Sequence, residues 1–323
     1  MIKRFQTLIS SCLRYKLLIL VLLPVLLVMT AVVALSNLWL NEVSYQQLLM
    51  KVNADLNVAH EAFEDTQANL LADLALLAES YAFRFPLEQK LSKESEAQQI
   101  QPLLLQLKQE QAFDFIQMID TNGCNYWDSS SCNVKNSPLL SKALLGTPAA
   151  GVDLFSSREL KAINPELAEM VYQPLVATPR SNPVNNTAEN RGMVLHSYYP
   201  VMDADKNVRA VLIGGVLLNR NFKFVDNLRD LVYSKGSLAE DGLGTVTIFL
   251  DDVRISTNVP EQLGSPEQRA TGTRVSDEVR DQVLTYGKTW IDRAFVVSDW
   301  YISAYEPITD VYGNRIGMLY TGF

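Results

Sequence analysis

The sequence predicts an α+β chain: an N-terminal transmembrane helix, a long stalk helix, then two tandem modules built on antiparallel sheets. Three observations carry this reading. An uncharged apolar run, Leu17 to Leu35, precedes everything else. A helical apolar stripe follows it. A long-range internal echo then pairs two β-rich stretches about one domain length apart.

At 1.5 Å per residue the apolar run is long enough to cross the ~30 Å hydrocarbon layer. Lys3, Arg4, Arg14 and Lys16 precede it, with no acid among them. By the positive-inside rule the N-terminus, 1–16, stays in the cytoplasm. The span covers 17–37, and everything beyond it is exported. Tyr15 and Trp39 flank the run as interfacial aromatics. A cleaved signal peptide is the rival reading.

From Leu38 to Phe85, Leu49, Val52, Leu56, Ala59, Phe63, Leu70, Leu74, Leu77 and Tyr81 recur at steps of three and four, the mark of an amphipathic helix. Pro86 is expected to end it. A helix continuous with a membrane span suits a stalk that pairs with a second copy, so a homodimer is expected; packing on its own domain is the alternative. Residues 87–112 read as a second helical segment, which completes a region 38–112.

The echo sets the modules. Tyr198, Pro200, Asp203, Asn207, Ala210, Leu212 and Gly215 align at one constant offset with Tyr305, Pro307, Asp310, Asn314, Gly317, Leu319 and Gly322. Both copies read as strand, Asp/Asn-rich turn, apolar strand. The first module is placed at 113–235. It holds a strand at Phe113–Asp120, a helix at Ser137–Leu145, a strand pair at Val152–Phe155 and Met170–Val176, and the hairpin Met193–Met202 with Val208–Leu218. Thr178 to Arg191, polar and proline-bearing, is expected to be a mobile loop. A helix over Asn219–Lys235 leads to a boundary at Gly236–Gly244. The second module, 236–323, holds strands Thr245–Leu250 and Val253–Thr257, a loop at Pro260–Arg269, and a helix capped by Ser276 and ended by Gly287. Strands Thr289–Val297, Trp300–Pro307 and Arg315–Phe323 complete five.

The chain has 28 Lys and Arg against 36 Asp and Glu. Setting aside the four basic residues before the span leaves 24 basic residues and a formal charge of −12 on the exported part. That disfavours nucleic acid and anionic lipid headgroups as main partners. Cys12 falls on the cytoplasmic side as a free thiol. Cys124 and Cys132, in a polar exported stretch, are expected to form a disulfide that staples a loop. No Cys/His spacing suggests a metal. Asp203, Asp205 and Asn207 begin like a calcium loop, but Val208 stands where glycine is required and Gly214 where glutamate is. No serine sits in a nucleophile elbow, no cofactor is called for, and no catalytic residue is assigned.

The runs GTVTIFLDDVRISTNV, GTRVSDEV and TWIDRAFVVSDWYISAYEPITDVYGNRIGMLY resemble the extracytoplasmic Cache sensor domains of bacterial histidine kinases. The double-Cache, PAS-like type fits best, strongly over 244–323 and more loosely over 113–220. The resemblance implies a membrane-distal module followed by a membrane-proximal one, each with a small-molecule pocket on the helix-and-loop side of its sheet, in a bacterial inner membrane receptor with residues 38–323 periplasmic. The sequence stops at Phe323 with no second span, HAMP-like segment or transmitter, so this is expected to be the sensing part of a larger receptor, a two-component histidine kinase. A chemoreceptor, a diguanylate cyclase, or an anchored protein-interaction module without a small ligand are the alternatives.

The expected ligand is a small carboxylate or amino acid, because an Arg fork matches a carboxylate and Tyr supplies an apolar wall with a polar tip. In the proximal module the candidates are Arg254, Ser256, Arg293, Tyr301 and Tyr305, with Thr257, Arg274, Trp290, Asp299 and Trp300 as a wider set. In the distal module they are Arg158, Tyr172, His196 and Tyr198.

Overall fold

The computed structural model describes residues 13–89, 91–111, 113–132, 134–234, 236–238, 242–261 and 268–323. Lys3, Arg4, Cys12, residues 239–241 of the Gly236–Gly244 boundary and most of the Pro260–Arg269 loop lie outside them. The chain divides into two compact units, Met1–Lys51 and Val52–Phe323.

The first unit is helical. Helix α1, Leu13–Glu79, carries the apolar run; it is the one helix, among the described residues, long and apolar enough to cross a membrane. Every residue of Leu17 to Leu35 whose side chain is described is exposed.

The second unit is α+β. From Val52 onward the α1 stripe Val52, Leu56, Ala59, Phe63, Leu70 and Leu74 is buried against both sheets. That stripe is therefore satisfied within one chain, whereas Tyr81 is exposed. The helix breaks at Ser80 rather than at Pro86. Ser80 takes extended backbone and its hydroxyl accepts from the Phe83 amide, which starts α2, Tyr81–Glu88, with Pro86 inside it. Helix α3, Lys93–Glu110, is capped by Ser92, with Glu94 and Glu96 in its first turn.

A four-stranded antiparallel sheet follows, ordered β1-β6-β5-β2, from β1 (Phe115–Ile119), β2 (Ala149–Phe155), β5 (Gly192–Met202) and β6 (Val208–Leu217). One face packs on α1; the other packs on α4 (Pro138–Leu144), α5 (Ser157–Ile163) and α6 (Pro165–Met170). Cys124 and Cys132 are disulfide-bonded in the loop after β1. The expected pairing of 152–155 with 170–176 does not occur. β2 pairs with β5 instead, because α5 and α6 fill the connection, and β3 (Gln173–Pro174) pairs with β4 (Ala188–Glu189).

Helix α7, Phe222–Val232, leads to a five-stranded sheet ordered β8-β7-β11-β10-β9. Its strands are β7 (Thr245–Leu250), β8 (Val253–Thr257), β9 (Trp290–Val296), β10 (Asp299–Thr309) and β11 (Arg315–Gly322). One face continues the core against α1. The other is covered by α8 (Asp277–Arg280) and the π-helical turn Asp281–Thr285 through Val275, Val279 and Val283. Ser276 stands at the N-cap of α8, but its side chain makes no cap hydrogen bond.

The two modules hold each other reciprocally. The β10–β11 turn reaches the distal edge strand, where Val311 N donates to Val152 O (3.1 Å) and the Tyr312 hydroxyl to Asn136 O (3.1 Å). A Cβ at Gly151 would stand 2.7 Å from Val311, so glycine admits the turn. In return, residues 173–191 run onto the proximal module. Val176 N donates to Gly272 O (2.9 Å), Arg274 N to the Thr178 hydroxyl (2.9 Å) and Asp277 N to Arg180 O (3.0 Å). The insertion expected to be mobile is a docked strap.

Candidate functional site

Strand alternation assembles a polar band on the helix-covered face of the proximal sheet. Thr247 pairs with Tyr320, and Tyr320 with Tyr305, so their side chains share that face; Thr245 and Ser303, both paired with Gly322, join them. A bulge between Ile248 and Phe249 makes Phe249 oppose Arg254 while Thr247 opposes Thr257. It puts both Arg254 and Thr257 on the band. Four of its hydroxyls pair with one another: Thr247 and Thr257 meet at 2.6 Å, and Tyr320 meets Thr245 at 3.0 Å. The rings of Tyr305 and Tyr320 lie 4.7 Å apart.

Arg254 is the charge at this band, and it is 1% exposed. Its guanidinium donates to the Thr273 hydroxyl and lies over the Phe249 ring, 4.9 Å from the centroid. Nε is buried without a hydrogen-bond partner. Burial pushes the pKa of Arg254 down, and the nearby phenol groups of Tyr305, Tyr320 and Tyr301 act against that shift. Burial likewise raises Tyr305 well above the ordinary range and Tyr320 to about 12, so both phenols stay neutral.

The contrast with the other sheltered arginines is direct. Arg269 is forked on Asp226 at 2.9 and 2.8 Å. Arg191 is bound to Glu189 (2.7 Å) and Asp251 (2.6 Å), Arg209 to Glu96 (2.5 Å), and Arg274 to Asp252. Arg254 is more buried than any of these and has no carboxylate partner among the described residues. Desolvating a charge carries a penalty of about several kcal/mol when no partner offsets it.

The sequence candidates divide by face. Arg254, Tyr301 and Tyr305 come together. Ser256 does not: the bulge turns it to the α1 side, where its hydroxyl donates to Asn221 O (2.9 Å). Arg293 does not either. It pairs with Ile302 on the face opposite Tyr301, is exposed, and lies 6.0 Å from the Trp300 ring. Sequence reasoning missed Tyr320, Thr247, Thr245, Phe249 and Thr273. The Thr-Val-Thr alternation at 245–247 and the echo of Ile213 at Tyr320 were the signals for the strand residues. Thr273 sits in a connection, where no periodicity marks it.

In the distal module, His196 and Tyr198 share a face, with ring centroids 5.2 Å apart, and Phe155 packs on His196 at 5.5 Å. Both are buried, whereas Arg158 and Tyr172 point to solvent and join no pocket with them. Burial, and then the charge of Lys135, lower His196 to about 3, so it is neutral; burial raises Tyr198 to about 12. Lys135 is spent on Asp153 at 2.9 Å. The cavity beside Tyr198, lined also by Phe115, Phe155 and Ile213, measures about 20 Å³, room for roughly one water.

Asp203 uses Oδ1 to accept from the amides of Asp205 (2.9 Å) and Asn207 (2.8 Å), a turn-forming role. No cluster of three potential metal ligands occurs among the described residues.

Residues 216–323 match the family model "Single cache domain 3", a stretch that contains the whole polar band and Arg254. This part of the chain resembles a Cache domain. Among solved structures, the chain is similar to the periplasmic domain of Vibrio cholerae LuxQ (12% identity, 84% of this chain and 99% of that one, TM-score 0.46). It is also similar to the sensor domain of the Vibrio cholerae histidine kinase DctB (11% identity, 86% and 98%, TM-score 0.42). The periplasmic sensory domain of a Campylobacter jejuni chemoreceptor gives 8% identity over 87% and 95%, with a TM-score of 0.39. No curated protein matches the sequence. Arg254 lies inside the stretch that this family model matches.

Proposed function

We propose that this chain is the extracytoplasmic sensing region of a bacterial inner-membrane receptor, and that its Cache domain binds a small carboxylate, an organic acid or amino acid, through Arg254. The observation that carries this is a fully buried guanidinium with no acid partner among the described residues, set against a band of hydroxyls. A ligand carboxylate supplies the two acceptors that fit the fork. Tyr301, Tyr305 and Tyr320 then supply neutral donors and ring walls around it.

Four basic residues before the apolar run support a cytoplasmic N-terminus, with the sensing region outside. A two-component histidine kinase is the receptor class that the sequence resemblance favours. Dimerisation would use α1 ahead of Val52, where Leu40 and Met50 are exposed. Ligand that binds one arrangement of the Cache domain better than another shifts the receptor between the two.

The test is a binding screen of the full chain in detergent against acetate, pyruvate, malonate, succinate and single amino acids, read by thermal shift and calorimetry. One acid should bind, and Arg254→Met should weaken it by roughly 10–100-fold, the worth of a charge-assisted hydrogen bond. Arg158→Ala and Arg293→Ala should bind normally. Binding that survives Arg254→Met would overturn the site.

A further inference from the structure

The segment 272–277 has two sides. Facing the Cache sheet, it is bonded to Arg254: the Arg254 amide donates to Thr273 O (2.9 Å), Gly272 N to Arg254 O (2.9 Å), and the guanidinium to the Thr273 hydroxyl. The same segment is bonded to the strap, residues 173–191 of the distal module, through Gly272 O, Arg274 N and Asp277 N. The Arg274 guanidinium also donates to Asn182 O while it pairs with Asp252. Arg191 at the far end of the strap reaches Asp251, 2.6 Å away in the β7–β8 turn.

The fit is close. Gly272 has φ +81, and a Cβ there would stand 2.2 Å from Pro174 O, so only glycine lets the strap lie on this wall. Arg180 adds a second anchor, its guanidinium 4.8 Å from the Trp300 ring. The strap itself has little core of its own. Most of its residues from Thr178 to Asn190 are exposed or half-buried, and it is held by polar contacts that open at low free energy.

We infer that the strap is a latch over the Arg254 site. It holds the 272–277 wall against the guanidinium, and its release is the step that gives small molecules access to Arg254. Because the strap belongs to the distal module, opening the proximal site loosens a contact between the modules, and tightening that contact closes the site. The coupling is reciprocal, as any linkage between two equilibria must be. The latch concerns access to the guanidinium and stands apart from the identity of the ligand proposed above.

The test labels arginines with phenylglyoxal in the full chain in detergent and reads each site by mass spectrometry. In the wild type, Arg254 should react far more slowly than exposed Arg158 and Arg293. In Thr178→Val/Arg191→Gln, hydrogen exchange of peptides covering 173–182 and 271–278 should speed up while β5 and β6 stay protected. Arg254 labelling should then rise at least about tenfold, with Arg158 and Arg293 unchanged. A strap freed by the exchange criterion with Arg254 still protected would overturn the latch, as would a wild-type Arg254 labelled as fast as Arg158. If the double variant loses protection in β5 and β6, Thr178→Val alone supplies the same comparison. The reagent reads the guanidinium directly, so a failed carboxylate screen and a failed latch are separate results.

Discussion

The hairpins β5–β6 and β10–β11 are the same object folded twice, used on different terms. Tyr198 opposes Ile213 as Tyr305 opposes Tyr320, and Pro200 opposes Val211 as Pro307 opposes Met318. The bulge falls after Val201 in one and after Ile308 in the other. Even the turns agree: Asp203 and Asp310 each accept from the amides two and four residues on. What differs is the face under the helices. Val194, His196, Tyr198 and Ile213 in the distal module become Tyr301, Ser303, Tyr305 and Tyr320 in the Cache domain. A fifth strand bearing Arg254 is added there, whereas the distal sheet ends at β1 beside the disulfide loop. Backbone and register are common property, so the difference between the two faces resides in a few side chains.

The sharpest test of that equivalence uses the position where the copies cannot be exchanged. Ala210 in β6 corresponds to Gly317 in β11. A Cβ at Gly317 would stand 2.0 Å from Phe249 O, a backbone atom of the strand opposite Arg254. Gly317→Ala should therefore destabilise by about 3 kcal/mol, at the upper end of overpacking effects. Ala210→Gly, which removes one methyl, should stay near 1 kcal/mol. Urea denaturation of the full chain measures both, and equal effects would dissolve the contrast.

Acid separates the modules next. His196 in the unfolded chain titrates near 6.5, while burial, followed by the Lys135 charge, holds it to about 3 in the fold. The unfolded state therefore binds more protons between those values, and stability present above pH 6.5 is lost as pH falls toward 3. The expected loss from pH 6.5 to 5 is about 2 kcal/mol. His196→Phe should flatten that slope, and the equivalent Ser303 contributes none. An unchanged slope in His196→Phe, read from melting temperatures across this range, would show that His196 is hydrated in the fold.

Much of this was legible beforehand, for identifiable reasons. The membrane run, the amphipathic stripe and the repeated hairpin follow from periodicity and from the echo, which are local or pairwise patterns. Alternation along Trp300–Tyr305 puts Tyr301 and Tyr305 on one face, and the strand pairing places Arg254 on that same face. Ser256 went to the wrong face because a bulge shifts alternation by one residue, and nothing in Val253–Thr257 announces a bulge. Arg293 was misplaced because its side is set by pairing with Ile302 in β10. The strap was read as a free loop from its prolines and polar residues, yet its ordering comes from Gly272 and Arg274, far along the chain.

Arg254 offers a milder but more diagnostic contrast. Replacing a buried charge that lacks an ionic partner by an apolar side chain of similar length removes a desolvation penalty. Arg254→Met should leave the Cache domain as stable as before or more stable by about 1 kcal/mol, while it weakens carboxylate binding by roughly 10–100-fold. Arg269→Met, which strands Asp226, should instead be destabilising. The pair of denaturation curves decides whether Arg254 is held for function or for stability; a loss in Arg254→Met comparable to that in Arg269→Met would make it structural.

The smallest expected effect lies where α1 meets β10. His60 places one ring nitrogen 2.7 Å from Glu306 and the other 3.3 Å from Glu64, so the imidazolium form satisfies both carboxylates. Partial burial works against that charge, but Glu306 and Glu64 outweigh it and raise the pKa of His60. Burial raises Glu306 as well, with His60 opposing that shift, so the carboxylate depends on its partner. A raised histidine pKa stabilises fully below 6.5 and is lost as pH rises through the folded value. The two sites thus tilt in opposite directions: acid weakens the distal core through His196, and alkali weakens the α1–β10 contact through His60. Because His60 is largely solvated, its contribution should stay within about 0.5 kcal/mol. Melting temperatures of wild type and His60→Gln should converge above pH 8 and differ by a degree or two at pH 6, with the wild type higher. A difference that grows with alkalinity would mean that the contact does not depend on the imidazolium.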